Sequence, residues 1–115
     1  ENRAILRGML EPLGFEILEA DSGRECLKII EKSVLSAALI DLRMEEMDGV
    51  ETIKRVRKMP NGKGIFIITI SASAFNRDKL ACIEAGSDVF LAKPFKLDDL
   101  LSNLKAALEI EFIEE

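Results

Sequence analysis

The sequence predicts an α/β fold in which helices cover both faces of a parallel sheet. Short apolar runs at 15–20, 36–41, 65–70 and 88–92 alternate with amphipathic stretches of helical spacing. The connections are short, and three of the runs end abruptly at a polar residue. Strands that alternate with helices form parallel, doubly wound sheets. A chain of 115 residues is therefore expected to form one such domain.

Helix signals separate the predicted strands. Helices are predicted over 1–12, from Ser22, over 48–58, over 77–85 and over 97–109. Ser22 and Glu25 form a capping box, Asp48 is a good N-cap, and Gly86 suits the position after a helix end. Gly49 after Asp48 suggests a close backbone approach. The chain begins inside a helix, although a doubly wound unit should begin with a strand.

The composition excludes several classes of function. The net charge of −5 disfavours non-specific nucleic-acid binding, and no apolar run approaches the roughly 20 residues of a membrane span. The absence of His removes His-based general base chemistry and the usual zinc sites. Cys26 and Cys82 lie in predicted amphipathic helices and suit small buried hydrophobes in a reducing compartment. A cytoplasmic domain without direct nucleic-acid or membrane contact is expected.

Three predicted strand ends carry Asp41, Ser71 and Lys93. In a parallel sheet these ends lie on one edge, where ligands bind. The carboxylate could form an acyl phosphate, the ammonium could neutralise phosphate oxygens, and the hydroxyl could donate a hydrogen bond. Each residue alone could be a loop cap, a strand terminator or a solvated charge. Their joint position favours a site that handles a phosphoryl group.

The segments IDLRMEEMDG, IITISASA and VFLAKPF resemble receiver domains of two-component response regulators, and the resemblance covers the whole chain. It implies a flavodoxin-like receiver domain over 1–115 with strand order 2-1-3-4-5. Asp41 corresponds to the phosphoacceptor, with Lys93 and Ser71 as its catalytic companions. Ser71, Phe90 and Pro94 correspond to switch positions, and the Lys93–Pro94 bond is expected to be cis.

The sequence departs from the family pattern in three places. The first strand and its pair of acids would lie ahead of Glu1, so the domain is expected to be N-terminally incomplete. Mg²⁺ would then be bound only by Asp41 and the backbone carbonyl of Arg43, in a site that is weakened or absent. Glu45 stands where the family often has Pro, and Phe90 replaces the commoner Tyr.

A missing first strand would leave strand edges unpaired, which is costly. The sequence therefore predicts that the gap is filled. Either strand 15–20 shifts to pair with 36–41, or a second chain swaps in a strand. A homodimer is left open.

The resemblance implies a domain that accepts a phosphoryl group from a phosphohistidine on a histidine kinase or a histidine phosphotransfer domain. The domain would catalyse its own phosphorylation and dephosphorylation only, and would signal by a surface change. No effector domain fits within the chain. The acidic tail at 109–115 is similar to that of C-terminal receivers in hybrid sensor kinases, where the parent protein would be a histidine kinase.

Two other functions are considered. A receiver-like chain without a metal site could be a protein interaction or dimerisation module that never cycles. A phosphohydrolase with an Asp nucleophile commonly needs a second acid two residues later, and Arg43 occupies that position.

Overall fold

The structure is a computed structural model that describes residues 2–14, 17–20, 22–42, 47–72 and 75–108. Its strands are β1 (Ala37–Asp41), β2 (Phe66–Ser71) and β3 (Val89–Ala92). Its helices are α1 (Asn2–Leu10), α2 (Gly23–Lys32), α3 (Gly49–Lys58), α4 (Asn76–Ala85) and α5 (Leu97–Leu108), with short 3-10 turns at Glu11–Leu13 and Pro60–Gly62. The alternation of strands and helices predicted from residue 22 onward is confirmed.

The described strands form one parallel sheet in the order β1-β2-β3. Asp41 lies opposite Ile70, and Ser71 lies opposite Ala92. β2 is the central strand, and Ile67 and Ile68 on its two faces are both fully buried. This is the environment that a nearly continuous β-branched run predicts.

Apolar side chains pack on both faces of the sheet. One core cluster joins α2, α3 and α4 to the sheet and includes Ile30, Ile53 and Ile67. The other joins α1 and α5 to the opposite face and includes Leu10, Ile68 and Leu100. The doubly wound arrangement follows from this division, since each helix buries one apolar stripe against the sheet.

The helix boundaries follow from the capping residues read in the sequence. The Ser22 hydroxyl accepts a hydrogen bond from the backbone N–H of Glu25 at 3.1 Å. The Asp48 carboxylate accepts one from the N–H of Glu51 at 2.8 Å. Gly86 ends α4 with φ +123°, a conformation that side chains of L-residues rarely adopt. These contacts satisfy backbone groups that a helix end would leave unpaired.

The predicted strand over 15–20 is wrong for its described residues, because Ile17–Ala20 adopt no regular secondary structure. The carbonyl of Ile17 accepts a hydrogen bond from the Arg7 guanidinium at 3.0 Å, and Arg7 also contacts Glu19. A strand needs a ladder partner for its backbone groups. Within the described sheet β1 pairs with β2 alone, so these four residues do not fill the edge beside β1 as predicted.

Several expectations fall on residues that the structure does not describe. They are the start of the predicted strand at Phe15 and Glu16, the backbone carbonyl of Arg43, the loop residue Glu45 and the acidic tail at 109–115.

The two cysteines are packed as apolar side chains and are free thiols, as predicted. Cys82 is fully buried, and Cys26 packs against the same core cluster. Burial raises the pKa of both thiols, which keeps them protonated and unreactive. None of the helices in the described ranges is long and apolar enough to span a bilayer.

Candidate functional site

The polar residues that follow the three strands meet at one edge of the sheet. β1 ends in Asp41 and β2 in Ser71, while Lys93 directly follows the end of β3. All three strands are parallel, and their register keeps these ends level. The convergence predicted from the sequence is therefore confirmed as a geometric arrangement.

Asp41 and Lys93 form an ion pair across the sheet edge. The Lys93 Nζ lies 3.0 Å from the Asp41 Oδ2. The side chains remain 37% and 26% exposed respectively, so a reagent in solution can reach the carboxylate. A carboxylate beside an ammonium can attack an electrophilic centre while the ammonium neutralises the charge that develops nearby.

Ser71 is fully buried at the end of the central strand. Its backbone carbonyl accepts a hydrogen bond of 2.7 Å from the N–H of Lys93. This bond fixes the spacing between the hydroxyl-bearing residue and the lysine. Because side chains alternate along a strand, Ser71 shares its sheet face with Ile67 and Thr69.

The remaining predicted residues lie on β3 and just beyond it. Phe90 is partly buried and packs against the core cluster under α2, α3 and α4. It lies opposite Thr69 in the sheet register. Pro94 is exposed, and the Lys93–Pro94 peptide bond is cis, as expected.

Gly49 brings the start of α3 against the site. Its N–H donates to the Leu42 carbonyl at 2.8 Å. A Cβ placed on Gly49 would lie 2.6 Å from the Asp41 carbonyl oxygen. The close backbone approach predicted for Gly49 is therefore confirmed, and it places the start of α3 against the backbone of Asp41 and Leu42.

The described residues around Asp41 do not fit a magnesium site. No group of three or more His, Cys, Asp or Glu side chains that could hold a metal ion occurs in the described ranges. Asp41 offers one carboxylate, which Lys93 already contacts. Mg²⁺ prefers octahedral oxygen ligation through carboxylates and waters. These donors supply too few of those ligands.

Two further interaction centres were not predicted from the sequence. The Arg57 guanidinium binds carbonyls of two loops, and Thr69 hydrogen-bonds the Ser87 hydroxyl at 2.7 Å inside the protein. The sequence indicates Thr69 only as a hydroxyl-bearing residue within an apolar run, two residues before Ser71. Nothing in the sequence distinguishes Arg57 from the other basic residues at the end of α3.

Known proteins share this fold and this sequence pattern. The chain is 30% identical over 112 residues to the sensor histidine kinase CheAY of Helicobacter pylori, covering 96% of this chain and 14% of that protein. It is 32% identical over 108 residues to the sensor histidine kinase RcsC of Salmonella typhi, covering 94% and 11%. The chain thus spans a small part of these kinases.

A solved structure shows the same architecture. The receiver domain of the sensor histidine kinase PA1611 from Pseudomonas aeruginosa, with magnesium coordinated in its active site cleft, superposes with a TM-score of 0.87. The two are 29% identical, and the match covers 95% of this chain and 89% of that one. The family model of the response regulator receiver domain matches residues 1–105. The chain therefore belongs to the response regulator receiver domains, and is homologous to the phosphoacceptor domains of two-component systems and hybrid kinases.

Proposed function

We propose that Asp41 is the phosphoacceptor of this receiver domain. The observation that supports the assignment is the Asp41–Lys93 ion pair, 3.0 Å long and partly exposed, at the carboxyl edge of the sheet. We infer that the donor is a phosphohistidine on a histidine kinase or on a histidine phosphotransfer domain. The sensor histidine kinases among the relatives support this partner class.

The proposed transfer is an in-line displacement. A carboxylate oxygen of Asp41 attacks the phosphorus, and the bond between phosphorus and the donor imidazole nitrogen breaks. That nitrogen leaves with the electron pair, so the product is an acyl phosphate. Lys93 neutralises phosphoryl oxygens from a position that the ion pair already sets. Water later hydrolyses the acyl phosphate, which returns Asp41 to its carboxylate.

We infer that Ser71, Phe90 and Pro94 report the phosphorylated state. The Ser71 hydroxyl is buried in the present arrangement and would have to turn toward the phosphoryl group to donate a hydrogen bond. Phe90, on the neighbouring strand, would repack in the space that this movement changes. A local charge would thereby alter the surface of α4, β3 and α5.

No step of this proposal is assigned to a metal ion. The described residues around Asp41 supply one carboxylate, and magnesium in the cleft is a property of the PA1611 receiver. We further infer that residues 1–115 act as one receiver unit within a two-component phosphorelay. The two free cysteines fit a cytoplasmic location, where thiols are kept reduced.

Treatment with acetyl phosphate and MgCl₂ should add one phosphoryl group to the chain, and Asp41→Asn should abolish the adduct. The asparagine side chain keeps the shape of the carboxylate but is not a nucleophile. Intact mass spectrometry measures both outcomes. An adduct that persists on the Asp41→Asn variant, or a parent chain that takes up none, would contradict the assignment.

Lys93→Ala should slow phosphoryl uptake by about 100-fold while the adduct stays on Asp41, because an aimed cation that meets developing charge contributes on that scale. Lys96→Ala is the matched control, since Lys96 is an exposed lysine three residues further along the chain. The time course of the mass adduct gives the rates. Equal rates for the two variants would remove Lys93 from the mechanism.

A further inference from the structure

The helices α2 and α3 follow the same sequence pattern. Their residues are GRECLKIIEK and GVETIKRVRK, so both have Gly first, Glu third, and Lys sixth and tenth. In each helix the first residue and the aliphatic residue seven positions later are buried, and both helices therefore turn the same side toward the sheet. At 3.6 residues per turn, the sixth and tenth positions lie on the opposite side. The two helices thus direct two lysines each away from the core.

These four residues form the lysine face, which consists of Lys28, Lys32, Lys54 and Lys58. All four side chains are exposed. Among the ion pairs and hydrogen bonds of the described residues, none uses one of these ammonium groups. The two lysines of one helix are about 6 Å apart along its axis, and packed helices lie about 8–10 Å apart. The lysine face is therefore a two-by-two array of cations.

The array has a rigid base, because α2 and α3 are held together near both ends. At the first end, Gly23 packs so closely on the Thr52 hydroxyl that no Cβ would fit between them. At the other end, the Asn61 Nδ2 donates to the carbonyls of Ile30 and Glu31 at 3.2 and 3.3 Å. The distance between the two lysine pairs is thus set by the packing of the helices.

The lysine face is positive although the chain as a whole is negative. α2 and α3 carry seven basic and three acidic side chains, whereas the whole chain carries 16 basic and 21 acidic ones. Of the three acids, Glu51 pairs with Arg55 at 2.9 Å, and Glu31 is exposed. Charges act over about 10 Å in 0.1 M salt, so this local excess attracts an acidic segment despite the net charge of −5.

The acidic tail at 109–115 has the complementary chemistry. Its sequence, EIEFIEE, carries four carboxylates and no cation. Carboxylates two residues apart in an extended chain are about 6.7 Å apart, and carboxylates four residues apart in a helix are about 6 Å apart. Glu109 and Glu111 have the first spacing in the sequence, and Glu111 and Glu115 have the second. Either conformation would match the spacing of the lysines.

The tail of a second copy can reach the lysine face more easily than the tail of the same copy. α5, which precedes the tail, packs on the sheet face opposite to α2 and α3. Packed layers lie about 10 Å apart, so the two helical layers are separated by roughly 20 Å. Seven extended residues reach roughly 25 Å, and nearly all of this length would be used in passing around the sheet.

We propose that the lysine face binds the acidic tail of a second copy of this chain, so that two copies associate by exchanging tails. Each copy has one lysine face and one acidic tail, and a reciprocal exchange uses both and closes the dimer. Exposed ion pairs are individually weak, so a dissociation constant on the order of 100 µM is expected in low salt. Phosphorylation of Asp41 is not required, because that residue lies at the carboxyl edge of the sheet.

Sedimentation equilibrium of residues 1–115 in about 50 mM and about 500 mM salt tests this inference. The parent chain should dimerise in low salt and be monomeric in high salt. Lys28→Glu combined with Lys54→Glu should abolish dimerisation by reversing charges on the lysine face. Lys79→Glu combined with Lys96→Glu is the matched control. It makes the same change in net charge at exposed lysines outside α2 and α3, and it should dimerise like the parent.

A reversed tail provides the decisive arm of the experiment. Glu111→Lys combined with Glu115→Lys should also be monomeric on its own. In an equimolar mixture with the Lys28→Glu, Lys54→Glu variant, each charge-reversed surface meets its complement, so dimerisation should return. The return would also show that both variants are folded.

Four results would overturn the inference. A parent chain that stays monomeric in low salt at about 1 mM, tenfold above the expected dissociation constant, would leave the tail unbound or bound within its own copy. Association that persists in high salt would indicate an apolar interface. Equal loss in the matched control would reduce the effect to net charge. A mixture that remains monomeric would show that the two surfaces do not meet.

Discussion

Arg57→Ala should lower the free energy of unfolding by about 3 kcal/mol, because one guanidinium joins segments that are far apart in the chain. Its Nη1 donates to the carbonyls of Gly62, Lys63 and Ile65 at 2.9, 3.2 and 2.8 Å. Its Nε donates to the Gly86 carbonyl at 2.9 Å. Its Nη2 donates to the Asp88 carboxylate, also at 2.9 Å.

The cost is large because alanine leaves several carbonyl groups unpaired at once. The Arg57 side chain is only 21% exposed, so water replaces these bonds incompletely. Asp88 would keep its bond from the N–H of Ile67, at 2.8 Å, but would lose its counter-ion. Lysine should not rescue the variant, since a single ammonium cannot reproduce the planar fork of a guanidinium.

Arg55→Ala provides the matched control for Arg57→Ala. Arg55 lies on the same helix, is 54% exposed and pairs only with Glu51, four residues earlier, among its described ion pairs and hydrogen bonds. An exposed pair of this spacing contributes about 0.5 kcal/mol or less. Equilibrium urea denaturation of the two variants measures the difference. Equal free energies of unfolding for the two variants would show that the hydrogen bonds of Arg57 do not stabilise the folded chain.

The residues of the candidate site could be read from the sequence because each one interrupts a strongly apolar run. Asp41, Ser71 and Lys93 stand where hydrophobic strands end, and parallel strands bring such ends together. Phe90 and Pro94 needed the resemblance to a known family. A partly buried aromatic on a strand is an ordinary core residue, and its pattern alone indicates no switch.

Other contacts could not be predicted from local sequence. Arg57 lies among the basic residues Arg55 and Lys58 in the last turn of α3, where cations also favour the helix dipole. Only the folded chain brings the carbonyl of Gly86, 29 residues away, to its guanidinium. The bridge from Thr69 to Ser87 likewise spans 18 residues. Such contacts depend on tertiary packing and leave no periodic signal.

For the segment Ile17–Ala20, by contrast, the sequence predicted a strand that the described residues do not form. Its roughly alternating pattern suits a strand, but strand structure depends on a neighbour that supplies ladder hydrogen bonds. In the described structure an arginine side chain binds the Ile17 carbonyl instead. Local propensity predicted the secondary structure of this segment wrongly, because strand pairing is not a local property.

Gly49→Ala should lower the free energy of unfolding by about 2–3 kcal/mol and slow phosphoryl uptake on Asp41. The added methyl group would lie 2.6 Å from the Asp41 carbonyl oxygen and 2.7 Å from the Leu42 Cα. Both are backbone atoms, which cannot rotate away as a flexible side chain can. Relief therefore requires the start of α3 to move off the end of β1, which would displace the carboxylate from its place beside Lys93.

Gly8→Ala is the control, and it should change stability in the opposite direction. Gly8 is exposed within α1, and a Cβ there would meet nothing within 4 Å. Alanine in an open helical position stabilises by up to about 1 kcal/mol relative to glycine. Urea denaturation gives the two stabilities, and the mass adduct gives the rate of phosphoryl uptake for each. A role for Gly49 at the site requires that Gly49→Ala lowers both the free energy of unfolding and the rate of phosphoryl uptake, and that Gly8→Ala lowers neither. Parent-like uptake by a folded Gly49→Ala variant would show that the contact between α3 and β1 does not position Asp41.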